Sequence, residues 1–159
     1  MQSLTKTARS ALISGTVASL SSAAVLAVVA RMEGRAAFQP INATSHWLHG
    51  RTAADFQGVD LSRTGTGYAT HHAATVFWAF FFARWMAVRR PEGVLALIKD
   101  AVLMAAIAAA VDYGATPKRF TPGWEFVLSK KAMAATYLAI AAGLAAGTLL
   151  DETVNRDAV

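Results

Sequence analysis

Four histidines, three acidic side chains and one tyrosine are the residues of this 159-residue chain whose types and spacing point to chemistry. His46 and His49 lie three apart, which puts both on one face of a helix. His71 and His72 are adjacent, Asp112 and Tyr113 are adjacent, Glu125 follows in the next polar stretch, and Asp100 interrupts an apolar run. Neutral imidazoles beside carboxylates are the donors of zinc, copper, iron and nickel sites. Paired imidazoles from two helices can also ligate haem iron axially. The cofactor expectation is therefore a transition metal or haem. The candidate metal ligands are His46, His49, His72 and Asp112, with Asn42, Ser45, His71, Tyr113, Glu125 and Asp100 as further functional candidates. No catalytic set emerges. The chain has no HExxH motif and no cysteine, and adjacent histidines diverge by about 100° on a helix. The plainer alternatives are interfacial histidines bonded to loop carbonyls or stacked on tryptophan, and acids paired with Lys118, Arg119 or Lys130.

These residues must be positioned by apolar helices. The chain is 55 % hydrophobic and only 16 % charged, against about 25 % charged in average soluble domains. Its charges sit at the ends of apolar runs, which is the membrane pattern. The net charge of +5 does not point to nucleic acid, because the basic residues form no cluster or stripe and fit anchoring at the membrane surface. The expectation is an all-α, integral membrane four-helix bundle forming a single domain over 1–159. Its spans fall at about 11–31, 68–88, 93–113 and 122–150, and a structured loop covers 32–67. A cleaved leader is the alternative for the first run, since Val28 and Ala30 fit a small-residue cleavage pattern. That run is, however, longer than the usual apolar region of about 7–15 residues.

Each element carries local signals. In the first span Ser14, Ala18 and Ser22 recur every four residues, a spacing that lets another helix approach closely. In the loop, residues 42–49 read as a short helix capped by Asn42 and ended by Gly50, with Pro40 upstream. Trp47 suits the membrane–water interface. The second span is the keystone. A helical wheel puts Val76, Ala79, Ala83 and Met86 on the side of His72, with Phe77, Trp78, Phe81 and Trp85 opposite, toward lipid. His72 is expected to point into the bundle and His71 to lie on its flank. The short Arg89–Gly93 turn predicts that spans two and three are antiparallel neighbours. Thr121 and Pro122 read as the start of the fourth helix, which carries Gly143 and Gly147 in a GxxxG pattern. Such faces pack within the bundle or join a second copy or a membrane-protein partner.

Four spans put loops one and three on the same side, so all four histidines, Asp112, Tyr113 and Glu125 gather at one end. For orientation, Lys6, Arg9, Arg84, Arg89, Arg90, Lys99 and Arg156 lie at the other end. The tight cluster at residues 84–90 and the leading Lys6 and Arg9 favour cytoplasmic termini.

The segments Asn42-Ala-Thr-Ser-His-Trp-Leu, Gly67-Tyr-Ala-Thr-His-His, Asp112-Tyr-Gly-Ala-Thr-Pro-Lys-Arg and Thr121-Pro-Gly-Trp-Glu resemble those of small uncharacterised bacterial inner-membrane proteins with four spans. The resemblance implies location and architecture, and no activity. The functional expectation is a non-enzymatic membrane protein that binds a metal or cofactor, or docks a partner, at the histidine-rich end. The rival expectation is an enzyme or proton-coupled carrier that uses the His/Asp cluster and Asp100.

Overall fold

The computed structural model describes residues 3–156, with side chains described as far as Thr153, so the Arg156 side chain counted for orientation lies outside the described residues. The described residues form helices joined by turns and irregular segments, without strands. Helix α1 spans Leu4–Met32, α2 Gln39–Thr44, α3 His46–His49, α4 Thr66–Arg89, α5 Val94–Gly114 and α6 Lys130–Arg156. Short helical turns at Arg51–Asp55, Leu61–Gly65, Lys118–Phe120 and Trp124–Phe126 fill the two long loops.

Among the described residues three helices are long and apolar enough to cross a membrane: Leu4–Met32, Val94–Gly114 and the stretch Lys130–Thr153 of α6. Only 33 % of the apolar stretch of α1 and of α5, and 44 % of that of α6, is buried inside the molecule, so most of this apolar surface has no protein cover. α4 is also long, at 24 residues. His71, His72, Arg84 and its tyrosine and tryptophans lower its hydropathy relative to the other three.

α1 is the central helix, packed antiparallel against α6 on one side and α4 on the other. Small residues make the approach. A Cβ on Gly143 would fall 2.8 Å from the Ala18 backbone nitrogen, and one on Gly147 3.0 Å from the Ser14 Cβ, while Gly15 faces Val76 and Ala79. The GxxxG face and the Ser14/Ala18 stripe are therefore spent on each other inside the molecule, which removes them as a surface for a second copy or partner. Ser21 adds a hydrogen bond across this seam to the Ala139 carbonyl, 3.0 Å away.

Several sequence expectations need correction. α5 packs on α6 and barely touches α4, so the helices joined by the short turn are not close neighbours. Arg90 at φ 45° and Gly93 at φ 84° turn the chain so that α5 leaves α4 and leans on α6. The fourth long helix starts at Lys130 rather than near 122. Gly123, at φ 83°, breaks the chain after Thr121 and Pro122, and Ser129 then caps α6 by accepting from the Ala132 amide. In the first loop the helix is two short pieces divided at Ser45, with Pro40 in the first turn and Gly50 at the end. Asn42 is not a cap. It is fully buried, donates to the Phe56 and Gly58 carbonyls and accepts from Thr64, which ties the loop's later half onto α2.

Candidate functional site

The two long loops close one end of the helices together, and their side chains interlock. His46 is buried, with Nδ1 on the Ala43 carbonyl at 3.0 Å and Nε2 on the Lys118 carbonyl at 3.2 Å. Nε2 binds loop one to loop three, while Nδ1 stays within loop one. His49 lies on the outer side against the Ser62 carbonyl. Ser45 is buried and donates to the Asn42 carbonyl. Trp124 donates its indole N–H to Thr44, and Trp47 donates to Thr70.

The inward histidine is His71, not His72. The buried stripe of α4 runs Gly67, His71, Thr75, Ala79, Phe82 and Ala83, centred about 60° from His72 on the His71 side. Gly67 decides the phase. Its hydrogen faces the Ile41 carbonyl where any side chain would collide, and the residue four later then points inward. His72 is half-buried, stacked on Tyr68 with ring centroids 6.1 Å apart, and its Nδ1 has no partner.

His71 Nε2 lies 2.9 Å from the Ser22 hydroxyl and 3.3 Å from the Ser19 carbonyl. The Ser22 hydroxyl is itself 2.6 Å from the Ala18 carbonyl and donates there. Both neighbours of Nε2 therefore act as acceptors, which places the ring proton on Nε2 and leaves Nδ1 a bare acceptor.

Asp112 and Tyr113 end α5. Tyr137 of α6 donates to Asp112 Oδ2 over 2.6 Å, and the Trp78 indole faces the same carboxylate. Asp112 forms no ion pair among the described residues. Glu125 likewise accepts from Thr121 rather than from a lysine or arginine. Its second oxygen and the Tyr113 hydroxyl are both buried without a partner, and they face each other. Asp100 is remote from this end: it is buried in the first half of α5 and paired with Arg89 at 3.7 Å.

His71 and Asp112 meet at one cavity of about 280 Å³. It lies where α4 and α5 stand apart, roofed by the loops, with Trp47, Trp78, Trp124 and Tyr137 in its wall and Ala74 and Phe120 toward the outside. Three of the protein's four tryptophans line it. Trp124 holds the wall together, 5.6 Å from the His71 ring and 5.7 Å from the Tyr137 ring. The sequence signals for these aromatics pointed elsewhere, Trp78 to lipid and Trp47 to the interface. Only the approach of α4, α6 and loop three brings them together.

The four candidate metal ligands do not converge. Among the described residues no group of three His, Asp or Glu side chains is placed to hold a metal. His46 and His49 spend nitrogens on loop carbonyls, and His72 lies on the flank beside Tyr68. His71 is the single histidine at the cavity, so paired imidazoles for a haem are not assembled there either. No family model, curated protein or solved structure matches the chain.

Proposed function

We propose that this chain is a non-enzymatic inner-membrane protein of four spans that holds a small, largely apolar organic molecule in the cavity between α4 and α5. The observation that carries this reading is the cavity itself. A cavity of about 280 Å³, open on the side of Ala74 and Phe120 and walled by three tryptophans and a tyrosine with a few polar atoms, has the composition of a small-molecule site.

What supports α4 as a fourth span is its course along α1. His71 touches Ser22, Val76 and Ala79 face Gly15, and Ala83, Met86 and Ala87 share a second cavity with Ser3, Lys6 and Ser10. α4 thus follows α1 from near its end to its beginning, and a bilayer crossed by one is crossed by the other. Both termini then lie on one side, the cytoplasmic side by the basic cluster at residues 84–90. Binding is favoured over proton-coupled transport because the buried face of α5 between Asp112 and Asp100 is Ala101, Met104, Ala105 and Ala108, which offers a proton no polar step.

The test uses para-bromophenol, whose bromine quenches indole fluorescence, on the purified protein in mild detergent. A saturable quenching component, over the linear one from micelle partitioning, is expected. Ala74→Phe, at the mouth, should abolish it. Linear quenching alone would remove the binding reading.

A further inference from the structure

The cavity wall has spent its side-chain donors and kept its acceptors. The hydroxyls of Thr44, Thr70 and Thr75 donate to the carbonyls of Pro40, Thr66 and His71. The Thr121 hydroxyl is taken by Lys118 and Glu125. The indoles of Trp47 and Trp124 go to two of those threonines, Trp78 faces Asp112, and Tyr137 donates to Asp112. The hydrogen bonds of His71 run through Nε2 and that from Tyr137 reaches Asp112 at Oδ2, so the side chains that His71 and Asp112 bring to the cavity wall offer acceptors, His71 Nδ1 and the Asp112 carboxylate.

A wall of this kind selects its occupant. A carboxylate, a phosphate or a carbonyl would arrive as an acceptor before acceptors and lose its water with nothing in exchange. A donor-bearing head fits, and Asp112 decides between a neutral donor and a charged one. It is a carboxylate without a basic partner among the described residues, set in an aromatic enclosure. Indole and phenol faces attract cations, most strongly where water is excluded. Acceptors, a carboxylate and four aromatic rings around one small void are the complement of an ammonium group on an apolar body.

We propose that the cavity between α4 and α5 binds a small lipophilic amine in its protonated form, with Asp112 as counter-ion, His71 Nδ1 as hydrogen-bond acceptor, and Trp47, Trp78 and Trp124 as the surrounding faces. This rests on the reading of the cavity as a ligand site. The amine's apolar body would lie toward Ala74 and Phe120, where α4 and α5 part.

Three probes of nearly equal shape separate the possibilities: phenethylammonium, phenethyl alcohol and hydrocinnamate. Each is titrated near neutral pH, where such an amine is protonated, into the full-length protein in detergent and followed by tryptophan fluorescence and calorimetry. Phenethylammonium is expected to bind at least about tenfold more tightly than the alcohol, a gap of about 1.4 kcal/mol, and the anion not to bind measurably. Asp112→Asn should erase the preference for the ammonium and keep binding of the alcohol, whereas Asp112→Glu should retain the preference. Equal or tighter binding of the alcohol or the anion by the unaltered protein would overturn the amine proposal and leave the cavity a ligand site. Failure of all three probes, together with linear bromophenol quenching, would overturn both. If Asp112→Asn does not fold, the ranking of the three probes on the unaltered protein still decides.

Discussion

The Tyr137 hydroxyl donates a hydrogen bond to Asp112 Oδ2 over 2.6 Å, and this bond joins the last turn of α5 to the second turn of α6. Both side chains also face the cavity, so one contact sets the packing of two helices and the position of the carboxylate. Tyr137→Phe keeps the ring, which packs on Trp124 and Tyr113, and removes only the donor. It is expected to lower stability by about 1–3 kcal/mol, the effect of leaving a buried polar group short of a partner. Equilibrium unfolding in mixed micelles measures it. An unchanged midpoint would mean that water replaces the tyrosine at Asp112.

The two adjacent histidines are expected to behave differently. His71→Ala removes the link from α4 to Ser19 and Ser22 of α1 and opens space beside Trp124, so stability should fall by about 1–3 kcal/mol. His72→Ala removes a stacking contact with Tyr68 on a half-buried flank, worth about 1 kcal/mol at most. Thermal unfolding of the two proteins, side by side, checks the order. The reverse order would restore the wheel centred on His72.

Why the wheel missed by one residue is a physical point. Ala79 and Ala83 lie about 20° to either side of the His72 direction, so the small residues alone point the wheel at His72. The choice falls to Gly67 and its contact with the Ile41 carbonyl, a tertiary approach that no periodicity carries. What the sequence does carry is the helical class, the collection of the histidines with Asp112, Tyr113 and Glu125 at one end, and two small-residue faces, Ser14/Ala18/Ser22 and Gly143/Gly147, which the fold sets against each other. Close packing needs small residues on both partners, and that requirement is written locally. The cavity is not local. Tyr137 reads in sequence as an isolated polar residue of an apolar helix, and Trp78 as part of an aromatic lipid face. They become one wall because α5 leaves α4 and leans on α6.

Glu33, just past the end of α1, accepts from the Ser129 hydroxyl and from the Ser129 amide at 3.0 Å, so it anchors the start of α6. These bonds hold its carboxyl below the ordinary value of 4.5. Asp60, which accepts from the Arg63 amide and pairs with the Arg63 guanidinium, is likewise held below 3.8. A depressed folded value means the stabilisation is present above the unfolded value and is lost as pH falls through the folded one. The melting temperature is therefore expected to decline as pH drops below about 4.5, the free-carboxyl range. Glu33→Gln should remove part of that decline and leave the midpoint at neutral pH slightly lower. An identical acid limb in the variant would assign the decline to other carboxylates.

The path of α4 is open to direct measurement because the protein has no cysteine. If α4 crosses beside α1, the loop before it and the turn after it lie on opposite sides of the membrane. Ser62→Cys and Gly34→Cys should then label together with an impermeant maleimide from the extracytoplasmic face of intact cells. Glu92→Cys and Lys6→Cys should label only after the membrane is opened. Ser62 and Glu92 are both exposed, so reactivity reports the side and not the burial. A 24-residue helix is about 36 Å long, more than a hydrocarbon core of about 30 Å, so length does not prevent the crossing. The arginines in its last turns, Arg84 and Arg89, would reach the far surface by snorkelling. Labelling of Ser62→Cys and Glu92→Cys from the same face would show that α4 returns without crossing, reducing the spans to the three most apolar helices. The opposite pattern, with Glu92→Cys outside and Ser62→Cys inside, would keep four spans and reverse the orientation.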